Sequence, residues 1–458
     1  MLLEERMALY ELLARLGDLS WLDGFAGGGG STRGIHLIPG QRTRIAINHW
    51  RKAVDVHQAN NPDTEHDCAD MSQVDPRRYP RTDCAWFSPS CTKHSIAQGI
   101  KESAMLADQE GERSRATMWD VQRFDEYFRY RFIVVENVVE VRKWIGFRAW
   151  KIAMADGGKC LHEVYLNAAH ASRLGAAAHQ WRDRWFCLMH PKGTRCPDID
   201  RWIAPRALCA DCGDTTGRQT WNIDRKTGLP KDAGKYRTQY SFVCRNCAGP
   251  VRPYVRAARD VIDWSLPAQL IGQRLVPLAD KTMSRIQYGL TEYGRALVPV
   301  EGRDGKRPFS VDVPMRTVTA RNETGLLVPP FIAELRGGSS KARRVTEPLS
   351  TVCASGNHHG LVIPYYGRTK ARTTAEPFMT VTTVDRAALM PNPQPDINDC
   401  GFRMITPPEY ARFMDFPESY DWLASQISKR DRVRMAGNAV PVNMARDLVG
   451  CALESMAT

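Results

Sequence analysis

Two cysteine pairs, Cys209-Ala210-Asp211-Cys212 and Cys244-Arg245-Asn246-Cys247, have the spacing at which one turn offers two thiolates to one ion. Together they can complete a tetrahedral zinc site, and four thiolates leave no open position, so its role would be structural. The 31 residues between the pairs exceed the usual zinc-ribbon spacing, and reduced structural cysteines are the alternative. Cys187 and Cys196 with His190 are more loosely spaced and are not read as ligands. A lone cysteine can instead be a nucleophile, and Cys91 closes Ser88-Pro89-Ser90-Cys91 directly after an apolar run. Near the start, Asp23-Gly24-Phe25-Ala26-Gly27-Gly28-Gly29-Gly30 supplies glycines that let backbone turn tightly against a cofactor. This is not a dinucleotide fingerprint. GxGxxG would need glycine where Thr32 or Arg33 stands, and the acidic residue expected after the second strand is Asn48.

These residues sit at the ends of short apolar runs. Trp21-Leu22 leads into Asp23, Arg44-Ile45-Ala46-Ile47 into Asn48-His49, Asp83–Phe87 into Ser88, and Phe132-Ile133-Val134-Val135 into Glu136-Asn137. Helical stretches lie between, as at 51–58 and 119–130. Strands alternating with helices predict a mostly parallel sheet, which binds ligands beyond the carboxyl ends of its strands. The predicted fold is therefore α/β and Rossmann-like over residues 1–185, completed by the helical segment 401–458. Residues 186–400 read as a large, mostly β insertion, with the cysteine pairs within about 205–250. Within about 297–390, Leu297-Val298-Pro299, Leu327-Val328-Pro329 and Leu361-Val362-Ile363-Pro364 each open a unit. The units run on to Thr317-Val318, Thr351-Val352 and Thr380-Val381, which predicts three related β-rich repeats.

Lysine and arginine total 63 against 51 aspartate and glutamate, a net charge of +12 that suits a polyanionic partner. The basic stretches 336–344 and 368–372 suit phosphate contact. No apolar run approaches a membrane span, and the start, with Glu4 and Glu5 among Leu2, Leu3, Met7 and Leu12, reads as an amphipathic helix rather than a signal peptide. The expectation is a cytoplasmic monomer without membrane contact, in which 13 cysteines are metal-bound, catalytic or reduced rather than disulfide-linked.

Taken in order, these blocks resemble those of the C5 cytosine-specific DNA methyltransferases of bacteria and phages. Asp23–Gly30 is similar to the family's DLFAGxGG cofactor loop, Asp70-Met71 to its adenine-contact position, and Ser88–Cys91 to its nucleophile loop. Glu136-Asn137-Val138 matches its ENV block and Gln180–Arg184 its QxRxR block. Arg403–Glu409 with Phe416-Pro417, then Gly437-Asn438-Ala439-Val440, match its last two blocks. Any single block is weak evidence; the ordered set, spread along nearly the whole chain, is specific. Ser88, Ser90, Thr92 and Asn48 depart from the family, where most members have Gly, Pro, Gln and Glu.

The resemblance implies an enzyme that uses S-adenosylmethionine on double-stranded DNA, flipping the target cytosine into a pocket. Cys91 would attack C6 and make C5 nucleophilic. Glu136 would compensate charge at N3, and Arg182 and Arg184, two apart on a strand, would hold the base and the nucleophile loop. Asp23, Phe25, Ala26, Gly27, Gly29, Gly30, Asn48, His49, Asp70, Met71, Ser90, Asn438 and Ala439 would line the cofactor site. Asn48 can bond ribose hydroxyls but lacks a carboxylate's charge-assisted strength. The competing reading is a DNA-binding protein on a degenerate methyltransferase scaffold, favoured by Asn48 and Ser90. A zinc base deaminase is excluded, since the chain has no PCxxC.

Overall fold

The computed structural model describes residues 3–89, 117–329, 396–422 and 427–457, with the backbone alone of 331–334, 342–344 and 359–362. Ser90, Cys91, Thr92, the basic stretch 368–372 and most of 336–344 lie outside the described residues. The chain forms two compact units, residues 1–260 with 314–321 and 410–458, and residues 261–313 with 322–409.

The first unit is built on a seven-stranded sheet of order β3-β2-β1-β4-β5-β7-β6. The strands are β1 (Leu19–Gly24), β2 (Gln41–Ile47), β3 (Glu65–Asp67), β4 (Cys84–Phe87), β5 (Phe132–Asn137), β6 (Lys159–Asn167) and β7 (Asp183–Pro191). β1 to β5 are parallel, while β7 runs antiparallel between β5 and β6. A parallel strand covered on both faces must be apolar throughout, which is why Phe132-Ile133-Val134-Val135 shows no polar alternation. Its side chains divide by parity. Phe132 and Val134 join Trp21, Trp86, Met444 and Leu448 on one face; Ile133 and Val135 join Phe87, Phe124 and Trp150 on the other. The terminal helix Val442–Ala457 covers the first face and crosses the short helix Gly30–His36 closely, since a Cβ on Gly34 would stand 2.4 Å from the Ala445 Cβ. The strand order reverses between β1 and β4, so a crevice opens beyond their carboxyl ends. The loop from Asp23 and the loop from Ser88 both leave the sheet there.

The first unit extends to Asp260 rather than ending near residue 185. β7 carries the sheet to Pro191, and a four-stranded sheet follows, of order β10-β9-β8-β11. Its strands are β8 (Arg206–Cys209), β9 (Gly213–Trp221), β10 (Tyr240–Cys244) and β11 (Val251–Pro253). Tyr240 and Phe242 are buried in the same core as Trp185 and Tyr165, so burial of these aromatics holds the segment to the first unit.

The second unit is β-rich. Its larger sheet has the order β12-β19-β15-β13-β14, with β12 (Gln269–Leu270), β13 (Ala296–Pro299), β14 (Phe309–Ser310), β15 (Thr324–Val328) and β19 (Gly401–Met404). The helix Asp280–Tyr293 packs on it through Ile286 and Leu290. A second sheet comprises β16 (Phe331–Glu334), β17 (Ala342–Arg344) and β18 (His359–Val362). The repeat openings therefore diverge: β13 and β15 pair with one another, whereas the third, at β18, belongs to the other sheet. Residues 401–409 belong to this second unit through β19, and the chain rejoins the first unit at Tyr410.

Candidate active site

Asp23, the penultimate residue of β1, has no solvent exposure. Its Oδ2 accepts from the Ser31 hydroxyl at 2.6 Å and the Thr32 hydroxyl at 2.7 Å. Its Oδ1 is buried with no hydrogen-bond partner. Burial pushes the Asp23 carboxyl up to about 6, against the pull of both hydroxyls. The polar chain continues inward, for Thr32 Oγ1 lies 3.1 Å from His57 Nε2, and His57 Nδ1 lies 2.7 Å from His66 Nε2. Since Thr32 donates to Asp23, His57 must donate through Nε2 and accept at Nδ1, which matches its burial as a neutral imidazole, pushed down to about 3 by desolvation.

The glycine loop is shaped by close approach. Gly27 and Gly29 take φ of 54° and 84°, in the left-handed region. A Cβ on Gly29 would meet the Tyr420 hydroxyl at 2.4 Å, and one on Gly30 the Val440 carbonyl oxygen at 2.0 Å. Phe25, beside Ala26, holds a left-handed φ of 62° without being glycine, a backbone strain worth roughly 1–3 kcal/mol. At the neighbouring strand ends, Asn48 follows β2 and its Oδ1 accepts from the Trp50 backbone N–H at 2.9 Å. Among the described residues this leaves Nδ2 to meet a ligand. His49 beside it is exposed. Asp70 caps the turn Met71–Gln73 by accepting from Ser72 N, and Met71 is buried against Gly24. An orphaned acid oxygen, a cradle with no room for a Cβ and polar groups at three adjacent strand ends together fit a nucleoside-bearing cofactor.

Across the switch point, β5 delivers Glu136 and β7 delivers Arg184, whose Nε lies 2.8 Å from Glu136 Oε1. Both side chains are about nine-tenths buried. Burial raises the Glu136 carboxyl above its usual range, with Arg184 and Arg182 opposing the rise. Asn137 donates to the Pro89 carbonyl at 3.3 Å and accepts from Val138 N at 2.8 Å, so the ENV block anchors the chain just before Ser90. Arg182 is used differently from the expectation that it helps hold the base. Its guanidinium donates to the carbonyls of Val318, Gly437 and Ala439 at 2.8, 2.9 and 3.2 Å, which makes it a positioning residue for the last block. Ala439 is buried there and Asn438 exposed.

Sequence reasoning missed several of these supports. Gln180 is fully buried, accepting from Val318 N and donating to the Phe413 carbonyl. With the Trp181–Met315 backbone bond it fastens the stretch 314–321 to the first unit. Thr317-Val318 was visible only as part of a repeat. Nothing in local spacing marks His57, Tyr420 or Gln180, because each acts through partners that only the fold brings to it.

The four cysteines of the CxxC pairs come together, with all sulfurs within 4.8 Å of one another. Cys209 and Cys247 are 3.6 Å apart, close to the ~3.8 Å edge of a tetrahedron with Zn–S bonds of about 2.3 Å. Backbone N–H groups of Asn246 and Gly249 point at the sulfurs of Cys244 and Cys247, each at 3.4 Å. The donor set fits zinc. The hairpin rising from these knuckles leans on the candidate active site, since Tyr236 N donates to Asp183 and Lys235 pairs with Glu140.

A parallel-rich seven-stranded sheet of this order, with β7 antiparallel, matches the fold of the S-adenosylmethionine-dependent methyltransferases. Solved structures agree on that fold. The Dnmt2 methyltransferase of S. pombe superposes with a TM-score of 0.51 at 13% identity, over 96% of this chain and 99% of that one. The Entamoeba histolytica methyltransferase EhMeth superposes with a TM-score of 0.52 at 9% identity, over the same shares of each chain. A comparison with curated protein sequences returns no significant match. The family model of the C-5 cytosine-specific DNA methylases matches residues 19–207 and 336–452, and the chain belongs to that family. It is accordingly an enzyme of the DNA cytosine methyltransferase type, for which S-adenosylmethionine and DNA are the family's methyl donor and substrate. No described helix is long and apolar enough to cross a membrane.

Asp23 should leave a signature in stability. Its folded pKa of about 6 lies above the unfolded 3.8, so the unfolded chain releases the proton first and stability falls as pH rises from about 4 to about 6. The limit is on the order of 3 kcal/mol for a shift of this size. Asp23→Asn removes that titration, so in urea unfolding at pH 4 and pH 7 it should gain on the wild type by up to this amount. A wild-type-to-variant difference that does not change with pH would contradict the assignment.

Proposed function

We propose that this chain transfers the methyl group of S-adenosylmethionine to C5 of a cytosine flipped out of double-stranded DNA, with Cys91 as nucleophile. The observation that carries the reading is the buried Glu136–Arg184 pair at the strand ends, next to the Pro89 carbonyl that Asn137 holds. Cys91 follows Pro89 by two residues and lies outside the described residues. S-adenosylmethionine, when bound, supplies an electrophilic methyl group. Phe25, Asn48 and Asp70 would hold its adenosine, with Asn48 Nδ2 donating to a ribose oxygen, and Asp23 would shape the loop beneath.

The Cys91 thiolate forms a bond to C6, and the C5–C6 π electrons shift so that C5 becomes nucleophilic. Glu136, its carboxyl raised by burial, protonates or hydrogen-bonds N3 as negative charge develops there. Arg184 orients Glu136 and donates toward the base. C5 would take the methyl group as its bond to the donor sulfur breaks, leaving a neutral thioether to depart; loss of the C5 proton to solvent and return of the N3 proton to Glu136 then re-form the double bond and expel the thiolate. Removing the base from the stack costs a few kcal/mol, which contacts to the flipped base and duplex must offset. The degenerate-scaffold reading is not favoured, because the acid and its arginine stand assembled rather than dispersed.

The cysteine cluster is read as a structural zinc site that stiffens the hairpin leaning on Asp183. Cys212→Ser should lower bound zinc by one ion per chain and weaken DNA binding more than cofactor binding; unchanged zinc content would dismiss the site. For the nucleophile, Cys91→Ala should lose methyl transfer by at least about a thousandfold while still binding DNA. DNA carrying 5-fluorocytosine at the target should trap the wild type covalently, since fluorine blocks the last proton loss. Residual transfer above that level, or no trapped adduct, would remove Cys91 from the mechanism.

A further inference from the structure

The outer antiparallel pair β6–β7 carries metal-binding side chains that methyl transfer does not use. His162 on β6, His190 on β7 and Cys196 just beyond β7 bring one ligand atom each to within 4.8 Å of one another. By spacing alone His190 and Cys196 were set aside as ligands, and His162 was not considered. The strand register changes that reading. Cys160 stands opposite His190, and His162 opposite Leu188, so residues 160, 162, 188 and 190 share one face of the pair. On that face the two histidine Nε2 atoms are 2.9 Å apart, with the rings stacked 9° from parallel.

The tautomer of His190 is set by its neighbours. The Thr194 hydroxyl donates to the Pro191 carbonyl, so at 2.7 Å from His190 Nδ1 its oxygen accepts. His190 therefore carries its proton on Nδ1 and turns the Nε2 lone pair toward His162. A ligating histidine needs this arrangement, with the far nitrogen tied to an oxygen and the near one deprotonated. His190 is 2% exposed, and Cys196 lies at the surface, where an ion can enter.

We propose that His162 Nε2, His190 Nε2 and Cys196 Sγ form a second metal site, separate from the four-cysteine cluster, for zinc or another late first-row divalent ion. Two imidazoles and a thiolate suit that class of metal. Cys160, across from His190, or a water would complete the tetrahedron. On binding, Cys196 releases its proton to solvent, and no redox change is required. The site lies some six residues along β7 from Arg184, about 20 Å at 3.3 Å per residue, so its role is structural. It would staple edge strand β6 to the segment leading into the short helix Ile199–Trp202, whose Trp202 and Arg201 both bond Glu454 of the terminal helix.

The test is elemental analysis of the full-length protein, purified under reducing conditions and dialysed against a mild chelator. Wild type should hold two metal ions per chain, and Cys196→Ser and His190→Ala one. Cys212→Ser should also hold one, and Cys212→Ser with Cys196→Ser none. Cobalt titration of Cys212→Ser should give tetrahedral absorption with thiolate charge transfer, from one thiolate if water completes the site and from two if Cys160 does, and weakened or abolished by Cys196→Ser. Cys196 is exposed, so that variant reads the site without depending on refolding of the core. A wild type whose metal content is unaffected by Cys196→Ser and His190→Ala would overturn the proposal and leave a plain histidine–histidine hydrogen bond. A single ion lost with Cys196→Ser but kept in Cys212→Ser would uphold it and refute the four-cysteine site instead.

Discussion

The interaction on which the candidate active site depends is the buried ion pair between Glu136 and Arg184. A carboxylate withdrawn from water is unfavourable unless a cation and hydrogen bonds compensate it. Within the sheet that cation comes from β7, the strand inserted antiparallel beside β5. The reversal of direction has a chemical consequence. An antiparallel neighbour starts where β5 ends, so Arg184 meets Glu136 at the mouth of the switch-point crevice rather than at the far side of the sheet. Burial raises the acid above its usual range while the arginine restrains the rise.

The surrounding loops are fixed mostly by polar ties to backbone. Asn137 holds Pro89, Arg182 holds three carbonyls, and Gln180 clamps the stretch 314–321. Each tie leaves buried carbonyls or amides satisfied that would otherwise cost roughly 1–3 kcal/mol apiece. The final block in turn presses on the glycine loop, where Val440 and Tyr420 occupy the space a side chain would need. The glycine loop is thus closed by residues more than 390 positions away in sequence, as the 2.7 Å bond from Tyr420 to the Gly28 carbonyl illustrates.

Much of this was legible in the sequence where chemistry interrupts a pattern. Asp23, Asn48, Ser88 and Glu136 stood out because each ends an apolar run, and a parallel sheet gathers those positions at the carboxyl ends of its strands. The CxxC pairs were legible because a knuckle is local. What could not be read depends on register or on distant partners. Arg182 and Arg184 look alike in sequence, yet one turns to backbone carbonyls and the other to Glu136. His162 meets His190 only through the pairing of β6 with β7, and Cys196 joins them from the loop beyond β7. The first unit reaches Asp260 because Tyr240 and Phe242 fill a core whose other members lie before residue 190, which composition does not reveal. The repeat openings share a sequence pattern but pair in two different sheets, since strand partners are chosen by packing rather than by likeness.

The central claim is that the buried acid directs methylation to carbon. The most direct measurement is nucleoside mass spectrometry of duplex DNA incubated with S-adenosylmethionine and either wild type or Glu136→Gln. The account predicts 5-methylcytosine as the product of the wild type and at least a hundredfold less from the variant, in the range typical for loss of a general acid. Methyl groups on an exocyclic nitrogen, or equal yields of 5-methylcytosine from both proteins, would contradict it.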